Sequence, residues 1–299
     1  MRYFEHIVVG LAMAPVDRDL LRYARLVVGM GRSQSRCTFV HVLPPADVEA
    51  RSDEPTFSLR EARERLGAAV AEAFGPSDEH ALKVMSGHLV DALLSEAAEG
   101  AADLLMVGHR KDARGRRSLS RRLAIKAPCS VWMIPEGSAP RLSGVLAAVD
   151  LSLPSAQALS LATLVASRAG LAHVTALHVQ SPSSLGFDLV ERESAERALE
   201  RFLSPLDLHG LTVTPRIEEA GSVSGPVAAL VDKNTLDLVV VGTRGRSPSA
   251  AVLLGSESEH VLVESKVPVL VTKEPGERIG VLRALLDRDF QPRYKPRFG

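Results

Sequence analysis

Asp237 to Lys273 reads DLVVVGTRGRSPSAAVLLGSESEHVLVESKVPVLVTK. The stretch opens on Leu238-Val239-Val240-Val241, an apolar run whose length and β-branched content suit a strand buried on both faces. The run ends in glycine. Gly242, Gly245 and Gly255-Ser256 come next in the spacing G-x2-G-x9-G-S, and a second β-branched run, Val267 to Thr272, closes the unit. Glycines at the carboxyl end of a strand let backbone N–H groups approach an anion closely. Ser256 can open the next helix, where free amides and the dipole favour negative charge. The pattern predicts an anion at this loop. It is neither a GxxxxGK[ST] loop nor a GxGxxG after a strand, so neither a Walker-type NTPase nor a Rossmann dehydrogenase is indicated.

Upstream of this stretch, apolar strands at 142–150, 173–179 and 212–217 alternate with helical spacing over 154–170, 189–203 and 223–233. The same order occupies the first half, with strands at 6–11, 38–43, 80–85, 103–108 and 129–134 and helices at 17–31, 58–74 and 89–98. Val40-His41-Val42 matches Leu177-His178-Val179, and Leu104 to Gly108 matches Leu238 to Gly242. The chain is therefore read as two copies of one α/β unit, each a parallel sheet covered on both faces, joined by the turn-rich Pro135 to Leu142. The expected domains are 1–137 and 141–274, with an extension at 275–299.

The chain of 299 residues suits two such domains. Its 36 basic and 36 acidic residues cancel, so no global field draws it to nucleic acid or an anionic membrane, and nucleic acid is not an expected partner. No apolar run is long enough to span a bilayer and the N-terminus enters a strand directly, which makes a cytoplasmic protein without membrane insertion the expectation. Cys37 and Cys129 lie in or beside strands and read as buried hydrophobes. His41 and His178 stand at equivalent places without carboxylates or cysteines at ligand spacing, which favours packing or hydrogen bonding over metal. No metal site is expected. No catalytic residue can be named either, since neither a GxSxG elbow nor an HExxH helix is present.

The glycine spacing, placed between two strands inside a repeat, resembles the ATP-binding signature of the universal stress protein family. The order of elements resembles that family up to about Glu274. The resemblance implies two tandem flavodoxin-like units of the HUP type, each a five-stranded, mostly parallel sheet, paired through their last strands as an internal pseudo-dimer. It implies ATP as ligand. Asp150 would hydrogen-bond the adenosine end, with Ser152 in the same turn. Val179 would offer backbone groups to the adenine edge, and Gly242, Gly245, Gly255 and Ser256 would hold the phosphates. Read on its own, Asp150 before Ser152 and Pro154 equally suits a helix cap or a turn former. Glu257 and Glu259 would repel a triphosphate unless they face away or share a divalent ion such as Mg²⁺, and Arg244 and Arg246 could offset their charge.

The first half departs from the signature. No aspartate stands after its first strand, which runs into Gly10-Leu11-Ala12-Met13; Lys111 replaces the second glycine, and Arg117-Ser118 stands at Gly255-Ser256. This half is expected not to bind ATP. The same loop carries Arg110, Lys111, Arg114, Arg116, Arg117, Arg121 and Arg122, readable as a second anion site or as a solvated face. Residues 276–290 have helical apolar spacing, and Pro292 and Pro296 exclude a helix from the last residues of the chain. The resulting expectation is an ATP-binding stress-response sensor with little or no turnover, acting with a protein partner and as a homo-oligomer, in the simplest case a dimer. The alternative is a scaffold working through the basic loop and the tail.

Overall fold

The computed structural model describes residues 3–31, 35–45, 57–75, 80–110, 117–182, 189–233, 236–243 and 255–273. The first half runs β1 (His6–Leu11), α1 (Val16–Gly29), β2 (Arg36–Leu43), α2 (Leu59–Phe74), β3 (Ala81–Ser86), α3 (Leu89–Glu99), β4 (Leu104–His109), α4 (Arg117–Lys126) and β5 (Ser130–Pro135). The second runs β6 (Val145–Ala148), α5 (Leu153–Arg168), β7 (His173–Gln180), α6 (Leu189–Leu203), β8 (Thr212–Glu219), α7 (Ser224–Asp232), β9 (Leu238–Gly242), α8 (Ser256–Glu264) and β10 (Val269–Thr272). Every element expected within the two units is present, and the helical spacing over 276–290 lies outside the described residues. One reading is corrected: Arg117, Arg121 and Arg122 lie on helix α4, not on a loop. Dense charge hid a helical apolar stripe in which Leu123 and Ala124 are fully buried.

The strands form one ten-stranded sheet in the order β3-β2-β1-β4-β5-β10-β9-β6-β7-β8. Neighbours within each half are parallel, and β5 pairs with β10 antiparallel. Across that seam Trp132 faces Leu270, Val131 faces Val271 and Met133 faces Val269. Trp132 and Leu270 occupy the same position of the repeat, so a pseudo-two-fold axis passes between them. This is the internal pseudo-dimer that the family resemblance implied, and it covers one edge of each half. Period-two alternation sends Ile7, Phe39, Met106, Trp132, Val240 and Leu270 to one face, under α1, α2, α5 and α6, and Val8, Leu105, Val131, Val239 and Val271 to the other. Each core therefore runs unbroken beneath both halves.

The seam has polar ties as well. Lys273 Nζ donates to the carbonyls of Ile125 (2.6 Å) and Ala127 (2.7 Å), so a cation from the second half caps the carboxyl end of α4 in the first. The linker is pinned too: Asp19 accepts from Gly137 N–H (2.8 Å), and the Tyr23 hydroxyl donates to the Arg141 carbonyl (3.1 Å). Both cysteines are buried and free, and burial pushes each thiol up to about 12.

A carboxylate clamps the entry to each first strand. Asp103 accepts from the N–H groups of Phe4, Glu5 and His6, and its counterpart Asp237 accepts from Arg141 Nε (2.8 Å), Ser143 N–H (2.7 Å) and the Ser143 hydroxyl. Burial raises the Asp103 carboxyl above its ordinary value. At Asp237 burial also pushes upward, but the Ser143 and Arg141 bonds outweigh it and hold the carboxyl below that value. A lowered folded-state pKa contributes stability that is present above the unfolded pKa and lost as pH falls through the folded one. Asp237→Asn is therefore expected to cost about 1–3 kcal/mol at neutral pH. The gap from the native protein should close below about pH 4 in urea unfolding; a gap independent of pH would contradict the clamp.

Candidate functional site

Strand order reverses between β6 and β9, and open parallel sheets offer a crevice outside the carboxyl ends of the strands at such a point. The second half brings three pieces together there. At the end of β6, Val149 N–H donates to the Leu177 carbonyl (2.8 Å) and His178 Nδ1–H donates to the Val149 carbonyl (2.8 Å). These bonds lock the ends of β6 and β7 side by side, with half-buried Val179 next along β7. The histidine has a structural task, and His41 repeats it on the Leu11 carbonyl (2.9 Å).

The second piece is the turn from β6 into α5. Leu151 is left-handed (φ 63°), and Ser152 is the N-cap, exchanging bonds with Ser155. Asp150 Oδ1 accepts from Ser152 N–H (3.1 Å) and from the Ser152 hydroxyl. Of the two local roles open to Asp150 from sequence, helix cap or turn former, the structure has the turn: Ser152 is the cap and Asp150 closes the turn onto it, with its side chain half-buried at the crevice.

The third piece is the end of β9 with the start of α8. A Cβ on Gly242 would stand 2.8 Å from the Pro154 carbonyl oxygen, so glycine here lets α5 lie against β9. Gly108 in the first half is equivalent, and a Cβ there would meet Val16 Cγ2 at 2.7 Å. The position is glycine for packing in both halves, a reason the spacing did not reveal. Gly255 is the N-cap of α8, and its N–H donates to the Thr243 carbonyl (3.0 Å), closing the base of the intervening loop. The Ser258 hydroxyl donates to the Gly242 carbonyl (2.8 Å), tying the first turn of α8 to β9. Ser256 is the first residue of α8, and among the described residues no side chain caps this helix. Arg244, Gly245 and Arg246 lie outside the described residues.

The two carboxylates in the first turn of α8 both face protein partners. Glu257 accepts from Val223 N–H (2.7 Å), at the start of α7, and Glu259 pairs with Arg121 of α4 at 2.9 Å. Among the described residues no group of three or more His, Cys, Asp or Glu side chains is placed to hold a metal ion.

The first half builds the same turn differently. Met13 repeats the left-handed conformation of Leu151 (φ 57°), and Ala12 stands at the place of Asp150. Buried Asp17 reaches back to accept from Ala12 N–H (3.0 Å) and Ala14 N–H (3.2 Å). In the second half the counterpart amides, of Asp150 and Ser152, donate to the neutral Ser155 hydroxyl (3.3 and 3.1 Å). Burial raises the Asp17 carboxyl above its ordinary value. Sequence reading missed this exchange of a carboxylate for a hydroxyl, whose only signal is the alignment of Asp17 with Ser155. At the end of β4, His109 meets Ser120 (3.1 Å), and of the arginine run Lys111, Arg114 and Arg116 lie outside the described residues.

The profile of the Universal stress protein family matches residues 4–135 and again 143–273. A universal stress protein of Mycobacterium tuberculosis is 31% identical over 168 residues, covering 52% of this chain and 56% of that protein. Universal stress protein E of Photorhabdus laumondii is 26% identical over 208 residues, covering 62% and 66%. One of Methanocaldococcus jannaschii is 30% identical over 84 residues, covering 28% and 49%. The chain thus spans about half the length of the mycobacterial and archaeal relatives it matches. Among solved structures, a universal stress protein of Archaeoglobus fulgidus superposes with a TM-score of 0.64 at 18% identity, covering 90% of this chain and 98% of that one. A Pseudomonas aeruginosa protein of unknown function gives 0.65 at 20%, covering 91% and 93%. At these identities the likeness establishes the fold alone.

The glycines should separate in a stability measurement. Gly242→Ala must displace backbone and is expected to lose about 1–3 kcal/mol in urea unfolding. Gly255 has φ −58° and ψ 143°, angles open to any residue, so Gly255→Ala meets no backbone strain and is expected to lose less than about 1 kcal/mol, the difference between glycine and alanine as an N-cap. A neutral Gly242→Ala would contradict the packing role.

Proposed function

The chain belongs to the universal stress protein family, and from that premise we propose that its second half holds one ATP and acts as a nucleotide-responsive regulator, with the first half empty of nucleotide. One observation carries the reading: α8 begins at Gly255 without a side-chain cap among the described residues, while both carboxylates of its first turn, Glu257 and Glu259, are engaged by Val223 N–H and Arg121. Uncapped amides at the positive end of a helix, cleared of adjacent free carboxylates, suit a phosphate. In this reading Gly255, Ser256, Gly245 and Arg244 meet the phosphates, Gly242 allows the close approach of α5 to β9 beside them, and Asp150 with Ser152 faces the sugar. Val179 offers backbone groups to the base. Any Mg²⁺ would be carried chiefly by the phosphates and water, with Glu259 held by Arg121.

Asp17 supports the asymmetry, because it places a buried carboxylate beneath the turn where the second half has a hydroxyl. No general base stands at the α8 terminus among the described residues, so turnover is expected to be slow and occupancy to be the signal. The two-unit chain would act in the cytoplasm, as a dimer, through a protein partner that reads the occupied state; among the described residues no helix is long and apolar enough to cross a membrane.

Gly255→Arg tests the site without straining the fold. ATP affinity by calorimetry should fall at least about tenfold, some 1.4 kcal/mol, while the circular dichroism spectrum stays the same. Unchanged affinity would contradict the assignment.

A further inference from the structure

Arg121 and Glu259 hold the same position in the two halves: with Ser118 matched to Ser256 and Ser120 to Ser258, the next residues are Arg121 and Glu259. They meet across the pseudo-two-fold axis at 2.9 Å, with side chains 46% and 30% exposed. If both halves carried the same residue, like charges would face each other there. Divergence of the repeat has made the contact attractive, and only the pairing of a first half with a second half satisfies it.

The guanidinium is held by a firm platform. Next to it Ser120 is buried and bonded to His109, Leu123 and Ala124 are fully buried, and Lys273 caps the end of the helix. Glu259 sits in the first turn of α8, where an unpaired carboxylate would set its own charge against an anion at the helix terminus. Glu257 is already occupied by Val223 N–H from its own half. Glu259 is the carboxylate whose partner comes from the other half.

We infer that Arg121 is a positioning residue for the phosphate site of the second half: by engaging Glu259 it removes a competing charge from the α8 terminus, so the half without a nucleotide completes the half that has one. This rests on the nucleotide reading above. It gives the first half a task beyond covering a sheet edge, and it names charge on the ligand as what Arg121 discriminates.

The test uses the full chain, with ATP and adenosine as probes in calorimetry. Arg121→Ala is expected to weaken ATP by roughly threefold to tenfold and to leave adenosine unchanged, because the unmasked charge acts on phosphate. Adding Glu259→Gln to Arg121→Ala should restore ATP affinity, and Arg121→Lys should keep most of it. Glu259→Gln alone should bind ATP at least as well as the native chain, which keeps the idea testable if Arg121→Ala unfolds. Equal weakening of ATP and adenosine, failure of the double variant to recover, or an Arg121→Ala indistinguishable from native would each overturn the inference while leaving the nucleotide site standing. A native chain that binds no ATP would instead remove the nucleotide reading and this inference with it.

Discussion

The antiparallel pairing of β5 with β10 is the interaction on which the rest of the molecule depends. It joins two parallel sheets into one, lets each hydrophobic core continue beneath both halves, and brings α4 and α8 into contact. Trp132 and Leu270 meet on its axis, with Phe4 and Tyr23 against the indole at 6.4 and 6.5 Å between ring centres. A bulky indole stands opposite a smaller leucine at equivalent positions, both fully buried, so the two halves have diverged at the seam itself.

Comparison of equivalent positions sorts framework from function. His41 and His178 make the same bond, Gly108 and Gly242 allow the same close approach, and Asp103 and Asp237 clamp the same backbone. These are demands of the fold, and both halves meet them. Ala12 against Asp150, Asp17 against Ser155 and Arg121 against Glu259 differ in charge, and the fold tolerates either member of each pair. All three differences lie at the turn after the first strand or at the helix that succeeds the glycine loop, where the two crevices open.

Much of this was legible in sequence because strand period, glycine punctuation and repetition are local signals. The two-unit organisation, the seam and the turn at Asp150 are all legible from them and from the family resemblance they carry. The hidden features depend on contacts between distant segments. The arginine run looked like a loop because charge masked the stripe formed by Leu123 and Ala124. Glu257 and Glu259 looked hostile to phosphate because nothing nearby in sequence names Val223 or Arg121 as their partners. Gly242 looked like part of a ligand cradle, and its packing against Pro154 emerges only once α5 is laid on the sheet. The linker read as a turn-rich connection, while its anchoring by Asp19, Tyr23 and Asp237 needed the folded chain.

The most direct test of the central claim, one nucleotide site in a chain of two like halves, is to denature freshly purified protein and quantify the released adenine nucleotide per chain by mass spectrometry. The account predicts one ATP per chain. Two would show that the first half binds despite Asp17 and the missing aspartate, and none, with no uptake of added ATP, would contradict the nucleotide site altogether.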